Sequence, residues 1–424
     1  MDRRSLLKQT FSGLASASIL GDWAGTQLIE KAEEVAQKLS AHAEDEGYWE
    51  LVKSQFQFEK GLHYFNNASL GPSPKLVTNA TNEFRALLDG FPSKYMWGEW
   101  SDEKEATREK VAKMFSVDAE EIALVHNTTE GMNLIAFSLD LQPGDEIILS
   151  DHEHASGTIP WQYWQETKGI KLIRPVLPIL PMNEEELVAV YRKAITPKTK
   201  VISMVHGTNT NGMLLPVKAV SKMAHEKGIL VAVDAAQTAG TFQIDLHDLG
   251  CDFYAASAHK FLFAPKGTGI FYARKDAQKY LKPLIVSAQH YNDKSIRKLE
   301  NYNTRNYPEM LGLGVAVDYY NLIGGERREK RLFELKDYFR SAIKSDSRFK
   351  LKTPANDRLS CAIQTVEVLG KKVNDVKNSL WENYQIDCRP MSGFDINGVR
   401  ISLSVFTTKK DVDYLVEALE EIAG

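Results

Sequence analysis

VDAAQTAGTFQIDLHDLGCDFYAASAHKFLFAPKGTGIFY, residues 233–272, sets two charged side chains where the surrounding pattern calls for burial. Asp234 closes the run Ile229–Asp234, which is apolar at almost every position. A run without polar alternation is what a parallel strand covered on both faces shows. Lys260 stands directly before Phe261, Leu262 and Phe263, and after a Pro/Gly turn Gly269–Tyr272 reads as another short strand. Lysine is almost never fully buried unless something pairs with it. The stretch therefore poses an acid and an amine at the ends of neighbouring buried strands.

Outward from it the same texture repeats. Ile122–His126, Glu146–Leu149, Lys171–Val176, Lys200–Val205 and Asp252–Ala256 also read as strands. Between the strands, Met132–Leu139, Pro160–Lys168, Asn183–Ala194 and Pro216–Lys227 have helical spacing. Such alternation means βαβ units and a mostly parallel sheet with helices on both faces. After Asn306 the pattern changes. Two long helices, Pro308–Leu322 and Glu326–Ser345, read as charged and precede a strand–helix–strand–helix run to Gly424. The expectation is an α/β protein: residues 66–306 form a large domain, residues 307–424 a smaller α+β domain, and residues 26–65 pack on the smaller one.

Composition excludes several classes. The 424 residues are 43% hydrophobic and 25% charged, with net charge −4, ordinary values for a soluble enzyme. No basic cluster exists for nucleic acid, and no apolar run approaches a membrane span. The three cysteines, Cys251, Cys361 and Cys388, have neither metal-site spacing nor the number for a disulfide framework.

Open α/β sheets bind ligands at the carboxyl ends of their strands. The residues expected there are Asn127-Thr128-Thr129-Glu130-Gly131, His152-Glu153-His154, His206 with Asn209, Asp234 with Gln237, and Ser257-Ala258-His259-Lys260. Pyridoxal 5′-phosphate requires such a set. Its aldehyde needs a lysine for a Schiff base, and its pyridine nitrogen needs a carboxylate to stay protonated. Its phosphate needs N–H groups at a helix start, which Thr128, Thr129 and Glu130 can offer. Lys260 is then the buried amine.

The segment 233–272 resembles the signature of the class V aminotransferases, a fold-type I family that includes cysteine desulfurases and isopenicillin N epimerase-like proteins. The resemblance runs over roughly residues 60–424. It implies the PLP-dependent transferase fold, with Lys260 as the Schiff-base lysine and Asp234 as the pyridine-nitrogen partner. It also implies Gln237 and Asn209 (in HGTNTNGMLLPV) on the phenolic oxygen, and Ser257 and His259 on the phosphate. DHEHASGTIPW places His154 over the ring. YNTRNYP resembles an element that reaches the phosphate of the neighbouring subunit, so Thr304 implies a homodimer; Asn303 stands where that element has glycine. VRISLSVFTTKKDVDYL makes Arg400 the clamp for a substrate carboxylate, a task a planar guanidinium suits better than lysine. Arg389 is read as a second carboxylate contact or a surface arginine.

Plainer readings stand beside these. Thr128 and Thr129 could only cap a helix, and Asn209 could only shape a turn. His152 and His154 could hold a metal but lack a third ligand. The cluster YMWGEW, residues 95–100, reads equally as core, dimer contact or substrate wall. The expected reaction is Cα deprotonation of an amino acid by Lys260, leading to amino transfer or epimerisation. Desulfuration through a persulfide is disfavoured, because the short segment PMSGFDINGV after Arg389 has no cysteine. A lyase without that intermediate stays open, as does, less strongly, a non-catalytic protein on the same scaffold.

The chain starts MDRRSLLKQTFSGLASASILGDWAG. Arg3 and Arg4 before Leu6-Leu7-Lys8 and a small-residue run resemble a twin-arginine export signal over residues 1–25, with cleavage after Ala17 or Ala24. The plainer reading is an amphipathic first helix of a cytoplasmic protein.

Overall fold

The computed structural model describes residue 34 and residues 45–287 and 293–424. The export-signal segment and its two cleavage positions lie outside the described residues.

The strands in chain order are β1 His63–Tyr64, β2 Ile122–Val125, β3 Glu146–Leu149, β4 Lys171–Ile173, β5 Thr199–Val205, β6 Leu230–Asp234, β7 Phe253–Ser257, β8 Gly269–Ala273, β9 Phe349–Leu351, β10 Ile363–Val368, β11 Ile386–Asp387, β12 Arg389–Gly393 and β13 Ile396–Ser402. Seven of them form the central sheet in the order β2-β8-β7-β6-β5-β3-β4. β4, β3, β5, β6 and β7 are parallel to their neighbours, and β8 pairs antiparallel with both β7 and β2. The carboxyl ends of β2, β3, β5, β6 and β7 thus share one edge. β2, β3, β7 and β8 are buried along their whole length, and alternate residues feed two cores. Ile148, Ile202, Val231, Val233 and Tyr254 pack on one face, and Ile147, Leu149, Val201, Ala232 and Phe253 on the other. This is the two-sided burial that the unbroken apolar runs require.

Helices fill both faces, and some of their starts are fixed by side-chain caps. Asn127 Oδ1 accepts from Glu130 N at the head of Thr128–Ser138. Asn183 does the same for Glu184–Ala194. The helix cap is therefore Asn127, not Thr128 or Thr129.

β12, β13, β10 and β9 form a second, antiparallel sheet, covered by helices Val373–Tyr384 and Lys409–Ala423. The described part of the N-terminal segment packs there. β1 pairs in parallel with β11, Lys53 forms an ion pair with Asp411 at 2.7 Å, and Glu46 forms one with Arg331 at 2.6 Å.

One expectation is corrected. Helix Tyr307–Ile323, read as charged and as the start of the smaller domain, is buried over most of its length and packs on helices Lys75–Gly90 and Trp100–Met114. Its sequence, YPEMLGLGVAVDYYNLI, is apolar all round, the mark of a helix enclosed by others. Only the following helix, Gly325–Ile343, is charged and amphipathic.

Candidate active site

Asp234 ends β6, 3% exposed. Its Oδ1 accepts from Ala236 N at 3.0 Å, while Oδ2 is buried without a partner. Burial raises the Asp234 carboxyl above its ordinary range, against the pull of the Ala236 N–H and the charges of Lys260 and His154. Lys260, two turns of chain beyond β7, is half-buried. Burial draws its amine down to about 8, with the Asp234 charge opposing and the Arg400 and Arg389 charges assisting. Gln237 Nε2 donates to Ala68 O at 3.0 Å, and its Oε1 is buried and unpartnered.

At the other end of this group Ser257 closes β7. Its hydroxyl accepts from Thr128 N at 3.0 Å and lies 2.9 Å from Thr128 Oγ1. His259 Nδ1 is buried without a partner, and burial beside Lys260 lowers the imidazole to about 4, so it is neutral. Thr129 Oγ1 donates to Ser156 Oγ at 3.0 Å. Thr128 and Ser257 are thereby joined at one helix start, an arrangement suited to an anion, with His259 two residues beyond Ser257. Glu130 is not part of it. Its N–H is taken by Asn127, and its carboxylate turns to His126 and to the Tyr302 hydroxyl. A negative side chain turns away from an anion site and tethers the 301–305 segment instead.

His154 is the cap of helix Ala155–Lys168, its Nδ1 accepting from Ser156 N at 3.2 Å. Burial lowers its pKa; the Asp234 charge opposes this, and the charges of Lys260, Arg389 and Arg400 add to it. His152 points elsewhere, with Nδ1 3.1 Å from Thr210 Oγ1, and no cluster of metal-binding residues occurs among the described residues.

Arg400, on β13, is 1% exposed. It donates to Asn209 O at 2.9 Å, Asn66 Oδ1 at 3.0 Å and Ser69 Oγ at 2.7 Å, and its Nε is buried without a partner. Burial and the Arg389 charge lower it to about 10. Asn209 is thus at the site through its carbonyl. Arg389, exposed, sits opposite Arg400 in the β12–β13 register and donates to the same Ser69 Oγ at 3.4 Å.

Thr304 stands apart. It is exposed in a separate cleft lined also by Trp97, Arg297, Tyr302 and Tyr307. Asn303 before it has φ 62°, the left-handed conformation that Asn tolerates best after glycine, so the missing glycine costs little. The aromatic cluster is split: Tyr95 and Trp100 are buried with rings 4.9 Å apart, while Trp97 is 73% exposed in that cleft. All three cysteines are buried. Burial raises the Cys361 thiol to about 11 and the Cys388 thiol to about 12, and raises Cys251 as well. The hairpin between β12 and β13 carries Phe394 at its tip, its ring 5.4 Å from that of His152.

The family model for aminotransferase class-V matches residues 63–415. The chain belongs to the class-V aminotransferases. It is 28% identical to the isopenicillin N epimerase of Streptomyces clavuligerus over 392 residues, covering 89% of this chain and 98% of that protein. It is 30% identical to a cysteine desulfurase of Serratia proteamaculans over 406 residues, covering 88% and 98%. The crystal structure of the Escherichia coli cysteine desulfurase CsdA superposes with TM-score 0.76 at 25% identity, over 87% and 97% of the chains. The cystine C-S lyase C-DES shares the fold, with TM-score 0.77 at 21% identity and 85% and 97% coverage.

Pyridoxal 5′-phosphate is the cofactor of this class-V enzyme family, and the donor set fits it. The orphaned Asp234 Oδ2, Gln237 Oε1 and His259 Nδ1 are buried polar atoms whose desolvation nothing in the chain offsets. They would offer an anion to a ring nitrogen, an amide to a ring oxygen and an imidazole to a phosphate.

Two sets of residues at the site have no role assigned from the sequence. Asn66, Ala68 and Ser69 arrive from the chain's start and bond Arg400 and Gln237. Glu153, expected at the strand ends but given no role there, has Oε1 accepting from Ser150 Oγ at 2.8 Å and Val205 N at 3.3 Å, and Oε2 buried and unpartnered. Burial and then the Asp234 charge raise it to about 8.

Proposed function

We propose that this class-V enzyme holds an α-amino acid by its carboxylate and removes the Cα proton, as an epimerase or aminotransferase that forms no cysteine persulfide. Arg400 carries the reading. It is a buried guanidinium whose bonds go to carbonyl and hydroxyl oxygens, and no carboxylate pairs with it among the described residues. A buried cation without an anion is costly, and a substrate carboxylate offsets that cost.

The roles follow from the groups around it. Arg400 fixes the carboxylate and so the direction of the Cα–H bond. Lys260, lowered to about 8, has a neutral fraction near neutral pH and takes the proton. Asp234 would hold a ring nitrogen protonated, and His154 would cover the ring. When bound, pyridoxal phosphate supplies the sink for the electron pair left at Cα. The site at which the proton returns decides between inversion and amino transfer. The buried cysteines, with thiols pushed well above neutrality, speak against a persulfide carrier, since the thiolate is the reactive form. A lyase that releases sulfur without a persulfide is the second reading, favoured by the likeness to the desulfurases.

The test is incubation of the holoenzyme with L- and D-amino acids in deuterated water, followed by NMR of the α-proton and chiral analysis of products. Washout with inversion or keto-acid formation is expected. Arg400→Ala should weaken amino-acid binding by roughly 2–4 kcal/mol. Sulfide release from cysteine that vanishes in Cys388→Ala, without α-proton exchange on any other amino acid, would overturn the reading.

The same proposal includes twin-arginine export and a homodimer in which Thr304 serves the neighbouring site. Replacing Arg3 and Arg4 by Lys should retain the enzyme inside the cell, and unchanged distribution refutes export. A monomer in sedimentation refutes the dimer.

A further inference from the structure

Arg389 and Arg400 are directly opposed across β12 and β13, and a single hydroxyl, Ser69 Oγ, receives a hydrogen bond from both. Like charges opposite one another on a sheet destabilise it. No carboxylate forms an ion pair with either guanidinium among the described residues. Asp387, which ends β11 just before Arg389, accepts from Asn66 Nδ2 at 3.2 Å. Both guanidinium groups reach the same Ser69 hydroxyl, and their charges contribute to lowering Lys260 and His154.

One planar guanidinium suffices for one carboxylate, in a bidentate pair. Arg400 is buried and meets that need. Arg389, more exposed and one strand further out, then has no ion-pair partner among the described residues. The buried acids Asp234 and Glu153 are not ion-paired with Arg389 among the described residues; Asp234 accepts from Ala236 N, and Glu153 from Ser150 Oγ and Val205 N.

We infer that the substrate carries a second anionic group held by Arg389, that is, a dicarboxylic α-amino acid whose α-carboxylate lies on Arg400 and whose side-chain carboxylate lies on Arg389. The inference rests on the amino-acid reading of the site given above. It assigns specificity to the hairpin strand β12, with Ser69 as the spacer between the two anion positions.

The test compares isosteric pairs on the holoenzyme by titrating the cofactor's absorption spectrum. The probes are L-aspartate against L-asparagine and L-glutamate against L-glutamine. One acid should bind at least about tenfold tighter than its amide, the discrimination expected of a charge-assisted pair. In Arg389→Gln that acid-to-amide ratio should collapse toward one, while Arg400→Gln weakens both members together. Equal binding of acid and amide by the unmodified enzyme overturns the inference without any variant. A uniform loss for both in Arg389→Gln also overturns it, because the two arginines would then share one carboxylate. If no amino acid perturbs the spectrum, the amino-acid reading itself fails, a different result from equal binding.

Discussion

A Cβ on Gly71 would lie 2.0 Å from the carbonyl oxygen of Lys260. Gly71 N also donates to His259 O at 3.0 Å, so the chain's early segment is pressed onto the backbone that carries the lysine. Main chain cannot swing aside as a long side chain can. Gly71→Ala should therefore displace the His259-Lys260 turn, costing about 1–3 kcal/mol of stability and lowering cofactor occupancy. Thermal unfolding and the absorbance of the purified protein check both, and full occupancy with unchanged stability would show that the contact is dispensable.

Glu153 provides a prediction with a definite sign. Its carboxyl is raised to about 8 by burial, so between the ordinary carboxylate range and that value the folded state binds a proton that the unfolded state has lost. Stability then falls as pH rises through this window. Glu153→Gln keeps the shape and removes the titration. It should remove most of this slope and stabilise the protein above pH 8 by on the order of 1–3 kcal/mol. Melting temperatures measured across the window decide it; parallel curves for the two proteins would refute it.

For Lys260 the burial acts the other way, lowering the amine to about 8. As a base it works when neutral, so α-proton exchange should rise with pH and level off above that value. Arg389 contributes to the depression, so Arg389→Gln should move the limb to higher pH. Borohydride treatment should place a pyridoxyl mass on the peptide containing Lys260. A reducible adduct that persists in Lys260→Ala would remove the lysine from its role.

Cys361→Ala and Cys388→Ala should leave turnover within about twofold, because neither buried thiol reaches the mouth in its thiolate form. Steady-state rates on the substrate found in the exchange screen check this. A loss of more than tenfold in either variant would restore a sulfur-carrying role.

The site's ring end was legible from local pattern. Asp234, Gln237, Ser257, His259 and Lys260 lie on two adjacent strands and the turns that follow them, and strand ends in a parallel sheet converge by geometry. Glu130 is expected to offer its N–H to a phosphate, but Asn127 Oδ1 takes that N–H as the helix cap, a choice between cap and ligand that local sequence does not make. Helix Tyr307–Ile323, read as charged, has an apolar sequence that records that it is enclosed, though not by what.

The sequence by itself determined the alternation of buried strands and capped helices and the residue types that a pyridoxal phosphate site demands. These follow from periodicity and chemistry within short windows, where burial on two faces leaves no freedom in the pattern. Only the tertiary structure decided which distant groups complete the site. Ser69 meets Arg400 across 331 positions of sequence, Arg389 faces Arg400 through a hairpin register, and Glu153 becomes a buried acid because β5 closes over it. Such contacts depend on strand order and packing, which join segments whose local sequences carry no mark of each other.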